Sequence, residues 1–280
     1  MRRVILLAAL SAAMLVTTAP AARAGAPTCA SLPNPVYLQI GDTQQPLIKE
    51  LGRALRDNTP NPITLVYLTA GSCTNIAAIY NRTPVTVNML YVPSTAENPA
   101  WTPSMAALPC TVPAGGQPID IANSNVFISA CDTNPVPADI GVATGPIQAY
   151  VLAVPEASTQ RAITAEEAYF TFGFGMAGMI APWDDESQLQ IRTATKSTLL
   201  SWAANIGVPV NKWKGVRHDS STQVVNALRA STTPEKAIGI LGAEVYDGLR
   251  NDLNILAFQA FKQYDAYFPD STATALDKQN

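Results

Sequence analysis

Strand, helix, strand and helix follow one another within the first third of this 280-residue chain, and that order limits the fold more than any other feature. Val36-Tyr37-Leu38-Gln39-Ile40 is a short apolar run with the β-branched and aromatic content of a buried strand. Gly41-Asp42-Thr43-Gln44 reads as a turn. Residues 46–55 then place Leu47, Ile48, Leu51 and Leu55 at helical spacing, with Pro46 in the first turn, where its missing N–H costs nothing. Residues 63–68 repeat the strand pattern, and Gly71-Ser72-Cys73-Thr74 leads into a short helix over 75–80. A chain that opens this way builds an α/β layer structure.

The remainder keeps that alternation after one interruption. Residues 85–92 read as a strand followed by a Pro-, Ala- and Gly-rich loop through Gly115-Gly116, so 82–118 is expected to be an insertion. Residues 119–122 and 148–155 are further strands. Thr164 and Glu167 have the spacing of a capping box for a helix over 165–172. A helix over 196–206 stops at Gly207, and a third follows over 222–230, with strands expected at 214–217 and 237–241. Residues 255–261 form a last apolar segment.

The N-terminus carries Arg2 and Arg3, an apolar run from Val4 to Val16, and the small-x-small sequence Ala22-Arg23-Ala24. That order reads as a secretory signal peptide over 1–24 with cleavage near Ala24, and so as a periplasmic or secreted protein. Cleavage removes three arginines and no acid, taking the formal charge from −3 to −6. An acidic chain without a basic cluster argues against nucleic acid as a partner. Four cysteines remain: Cys29, Cys73, Cys110 and Cys131. An even number in an exported chain points to two disulfides, and three connectivities are open. The expected pairs are Cys110 with Cys131, closing the inserted loop, and Cys29 with Cys73. With one histidine and no CxxC pair, no metal site is expected, and no cofactor either.

Enzyme chemistry finds little support. His218 is the single histidine and lies beside Asp219 and Ser220, no G-x-S-x-G elbow is present, and the adjacent Glu166 and Glu167 point about 100° apart on a helix. Three turns have a different character. Thr43-Gln44, Gly71-Ser72-Cys73-Thr74 and His218-Asp219-Ser220-Ser221-Thr222 each precede a helix, where unpaired N–H groups and the helix dipole favour an anion. Hydroxyls add donors without charge, and Arg217 adds a guanidinium fork. The same residues also serve as ordinary N-caps.

Several stretches resemble the phosphate-binding proteins of ABC transporters. Ile119 to Ser129 is similar to that family's strand leading into a Ser-Asp ligand pair, and residues 148–155 to its crossing strand. Residues 163–170 resemble its L-T-x-x-x-x-x-I-Y helix, followed by Trp183-Asp184-Asp185 for its W-D-D. Arg217 to Thr222 resembles the R-x-D-x-S-G-T loop, one residue shorter and without its Gly, and 237–241 resembles A-I-G-Y. The resemblance implies a two-lobed periplasmic-binding-protein-like α/β fold with a cleft between lobes, binding phosphate or another small anion there.

Carried over by position, the ligand residues implied are Thr43, Ser72, Ser124, Asn125, Arg217, Ser221 and Thr222; Thr74 and Ser220 belong to the same loops. Asn125 stands where the family has Asp, so a neutral amide replaces the carboxylate that accepts the proton of hydrogen phosphate. A larger or apolar solute is the other reading, with a secreted hydrolase behind it. The resemblance further implies a monomer that meets a membrane permease. The expected organisation is lobe 1 over 35–147, lobe 2 over 148–250, and a return segment with a polar tail over 251–280. In that scheme 255–261 returns to the first lobe, and the tail is mobile or incomplete.

Overall fold

The computed structural model describes residues 25–145 and 148–268. The expected signal peptide and the tail from 269 onward lie outside them. Among the described residues no helix is long and apolar enough to cross a membrane.

The first lobe grows from β1 (Pro35–Ile40), α1 (Gln45–Arg56), β2 (Thr64–Thr69) and α2 (Ser72–Tyr80), in the order the sequence predicts. Three further strands complete a five-stranded sheet: β3 (Met89–Tyr91), β4 (Leu108–Cys110) and β5 (Ile121–Ala122), arranged β4-β3-β2-β1-β5. β2 and β5 flank β1 in parallel, while β3 and β4 add antiparallel. The period of two along each strand sorts side chains to opposite faces. Leu38, Ile40, Leu65 and Tyr67 join one core with Trp101, whereas Tyr37 and Val66 join another with Met89 and Cys110.

The second lobe is built from β6 (Tyr150–Pro155), β7 (Ala162–Thr164), α3 (Ala165–Phe174), β8 (Leu189–Arg192), α4 (Ser197–Ile206), β9 (Val216–His218), α5 (Ser221–Arg229), β10 (Ile238–Gly242) and α6 (Ala243–Asp247). β11 (Leu253–Ile255) and β12 (Ala257–Gln259) follow. Its main sheet runs β11-β6-β10-β8-β9, with β7 and β12 paired separately. Leu152, Val154, Ile238 and Ile240 face one core with Phe172 and Trp202, and Val151, Ala153 and Leu241 face another with Val224 and Leu228. Ahead of α3, Thr164 and Glu167 close the capping box reciprocally, at 3.0 and 2.8 Å.

Four expectations are corrected. The insertion contributes two strands rather than one. Val85 makes only a bridge to Gln117 and Val87 is exposed, so the ladder begins at Met89. The disulfides join Cys29 to Cys110 and Cys73 to Cys131. The cause is backbone placement: Cys29 N–H donates to the Thr111 carbonyl at 2.8 Å, which lays the N-terminal segment beside β4 and its Cys110. Residues 255–261 do not return to the first lobe; β11 pairs with β6 and β12 with β7, both on the second. Finally, the strand expected at 214–217 begins later. Lys214 N–H is drawn to the Phe172 carbonyl, and Gly215 turns at φ 118° where a Cβ would lie 2.4 Å from the Leu189 carbonyl oxygen.

Candidate functional site

Loops from both lobes meet where β1, β2 and β5 end on one side and β8 and β9 end on the other. From the first lobe come Thr43, Ser72 and Asn125. Asn125 N–H donates to Ser72 Oγ at 3.2 Å, and its Nδ2 donates to Thr43 Oγ1 at 3.2 Å. From the second lobe, Gln148 Nε2 reaches the same Thr43 hydroxyl at 3.2 Å. Burial pushes up the phenol of Tyr150, which has Ser197, Ser201 and Asn125 around it. Cys73 N–H donates to the Thr195 carbonyl at 3.3 Å, a direct backbone contact between lobes.

The charged centre of the junction is Asp42, one residue before Thr43. Arg192 Nη2 donates to both of its carboxylate oxygens at 3.1 Å. Lys196 Nζ lies 3.5 Å from Oδ1. Ser221 offers its backbone N–H to Oδ2 at 3.2 Å and its hydroxyl at 3.4 Å. Asp42 belongs to the first lobe, and all of these partners to the second.

Arg192 is fully buried, and every nitrogen of its fork is engaged. Nε donates to the His218 carbonyl, Nη1 to Ser221 Oγ at 2.6 Å, and Nη2 also to the Asp219 carbonyl at 2.9 Å. Burial alone would raise the Asp42 carboxyl. Arg192, Lys196 and the Ser221 N–H outweigh it and hold the group below the usual carboxylate range. Burial and the Arg192 charge lower the His218 imidazole, which stays neutral at pH 7 and shares a 2.8 Å hydrogen bond with Gln190. On the same side, burial pushes the Glu244 carboxyl up, and the charges of Asp42 and Asp247 act in the same direction.

The sequence-predicted residues divide between this junction and other tasks. Thr43, Ser72, Asn125 and Ser221 are brought together. Ser220 caps α5, accepting from Gln223 N–H while the Gln223 side chain accepts from Ser220 N–H. Ser124 Oγ closes its own turn with Val126. Thr74 is exposed on α2 and lines a separate groove with Gln39, Ala77 and Asn81. Thr222 is exposed. Arg217 is exposed and donates to the carbonyls of Val210, at 2.9 Å, and Trp213, away from Asp42.

Arg192 and Lys196 were missed from sequence. The available signal was a lone arginine closing the otherwise uncharged strand Leu189-Gln190-Ile191-Arg192. Asp42 gave no such signal, because the start of α5 is brought opposite it only by the fold, across 179 positions of sequence. Chemically, the junction offers two cations, a helix N-terminus and a hydroxyl around one carboxylate, beside a neutral polar wall of Thr43, Asn125 and Gln148.

Among known proteins, no family model matches the chain and no curated protein does. Solved structures do. An ABC-type phosphate transport receptor from Vibrio cholerae superposes with a TM-score of 0.50 at 10% identity, over 80% of this chain and 76% of that one. A possible phosphate binding protein from Planctomyces limnophilus gives 0.44 at 12% identity, over 86% of this chain and 75% of that one. The likeness to the Vibrio receptor shows the fold: two α/β lobes on the periplasmic-binding-protein plan.

Proposed function

We propose that this chain is the exported solute-binding component of an ABC-type uptake system and holds a small polar solute between its lobes. The observation that carries this reading is the meeting of neutral polar groups from both lobes around Thr43, whose hydroxyl accepts from Asn125 on one side and Gln148 on the other. Ligands of open α/β sheets sit in such crevices, beyond the carboxyl ends of parallel strands. The fold shared with a phosphate transport receptor supports the same role. A permease is the partner this reading requires. A small oxyanion such as phosphate is the second reading; Arg192, Lys196 and the start of α5 would receive it only in place of the Asp42 carboxylate that they now surround.

The test is a thermal-shift screen of the exported form against phosphate, sulfate, other oxyanions and small organic solutes. A solute that binds only the folded protein stabilises it by about 2.7 kcal/mol at a hundredfold excess over its Kd. The expected result is a concentration-dependent rise in Tm for one chemical class. That rise should be reduced by Thr43→Val or Asn125→Leu. A rise that survives both variants would move the ligand out of this cleft, and no rise with any solute would remove the binding role.

A further inference from the structure

We infer that Asp42 is a tethered anion, filling a latent oxyanion site on the second lobe and barring free oxyanions from it. The location rests on the two-lobed cleft reading; the site itself is defined by the contacts of Asp42 alone. Those contacts are what a bound oxyanion would receive. A guanidinium nitrogen addresses both oxygens, an ammonium stands at 3.5 Å, and one oxygen also takes an N–H and a hydroxyl at the start of a nine-residue helix.

The geometry is that of a built site, not a surface ion pair. Arg192 is 1% exposed, Lys196 13% and Asp42 16%, so the carboxylate is the anion that a buried cation requires. The second lobe supplies both cations and the helix terminus; the first lobe supplies the charge that satisfies them. Arg192 and Lys196 together carry one more charge than Asp42 cancels. With the aspartate removed, the second lobe presents two cations and an N-terminal N–H to a space of carboxylate size. Its chemical ligand is then a small oxyanion. With the aspartate present, a free oxyanion must displace an intramolecular competitor that pays no association entropy. This places selection against phosphate in the residue before Thr43. It leaves the neutral wall of Thr43, Asn125 and Gln148 for the solute of the wild-type protein.

The experiment is calorimetric titration of the exported form with sulfate, and separately with inorganic phosphate, for wild type, Asp42→Ala and Asp42→Ala/Lys196→Ala. The expected result is a gain of at least about tenfold in affinity for both anions in Asp42→Ala, reversed in part by Lys196→Ala. Equal affinities in wild type and Asp42→Ala would overturn the inference, as would a gain that Lys196→Ala leaves untouched. Should Asp42→Ala not fold in dilute buffer, its refolding is followed with added sulfate or acetate, and Asp42→Asn is titrated beside it. Rescue by a free anion supports a tethered one. No rescue, with a folded Asp42→Asn that binds sulfate no better than wild type, refutes it. A screen in which no solute stabilises the wild type removes the binding role without touching this comparison, so the two ideas fail separately.

Discussion

Tyr67 sits in the middle of β2 with no exposed surface, and its hydroxyl has no hydrogen-bond partner among the described residues. Burial pushes the phenol up to about 12. Between pH 10 and 12 the unfolded chain gives up this proton while the folded chain keeps it. Stability therefore falls as pH rises through that window, by up to about 2–3 kcal/mol. Tyr67→Phe should remove both liabilities. Its Tm at pH 7 should equal or exceed that of wild type, because an unsatisfied buried hydroxyl costs about 1–3 kcal/mol. Its alkaline decline should also be shallower; the phenols of Tyr37, Tyr91 and Tyr150, also raised, supply the remaining slope. A variant that melts lower than wild type at pH 7 would show that the hydroxyl has a partner after all. At this scale the sequence was only half readable. Ser72 and Thr43 could be found because hydroxyls before helices advertise donors, and Asn125 only through the resemblance of 119–129 to a ligand-bearing strand. Arg192 could not be chosen over Arg217: the first ends β8 and the second lies within β9, and only the packing decides which guanidinium turns inward.

Among the elements, the strands and helices with clear periods stood where the sequence put them: β1, α1, β2, α3, α4, α5 and β10. Those it did not announce are short and depend on neighbours. β8 is four residues with a glutamine and an arginine, β7 and β12 are three residues each, and β4 contains a proline paired opposite Leu90. None has enough alternation to stand out: β7 and β12 pair only with each other, β4 pairs with the equally short β3, and β8 lies between β10 and β9. The disulfides belong to this scale as well. Cys73, near the start of α2, holds Cys131, so the largely irregular chain between Asn123 and Gly145 is pinned beside the junction that contains Asn125. Replacing Cys73 and Cys131 together by alanine reopens a closed stretch of 58 residues in the unfolded chain, worth about 4 kcal/mol in the chain-entropy account. The expected outcome is a lower denaturation midpoint, and faster hydrogen exchange confined to 123–145. Uniform loss of protection across the first lobe would mean instead that this bridge holds the lobe as a whole.

For the whole molecule, the question is how tightly the lobes are held, and Gly71 marks one close approach between them. It caps α2 from the first lobe with an ordinary φ of −79°, so its backbone does not demand glycine. The obstacle is the other lobe. A Cβ there would lie 2.5 Å from the Thr195 carbonyl oxygen and 2.6 Å from its hydroxyl, where unstrained contacts need about 3.5 Å. Gly71→Ala must push Thr195 back by about 1 Å, and Thr195 precedes Lys196, the lysine that pairs with Asp42. The cheapest relief is for the lobes to part. That stretches the Cys73 N–H···Thr195 bond, and then the Asp42–Arg192 pair, whose buried arginine would lose its counter-charge. Gly71→Ala is therefore expected to cost about 1–3 kcal/mol, the range for overpacked contacts. It should also raise the radius of gyration in X-ray scattering, while circular dichroism keeps both lobes folded. Gly141→Ala, where a Cβ meets nothing within 4 Å, is the control and should change neither quantity. If Gly71→Ala scatters and melts like wild type, the Thr195 backbone yields locally, and closure is set by the Asp42 contacts rather than by this approach.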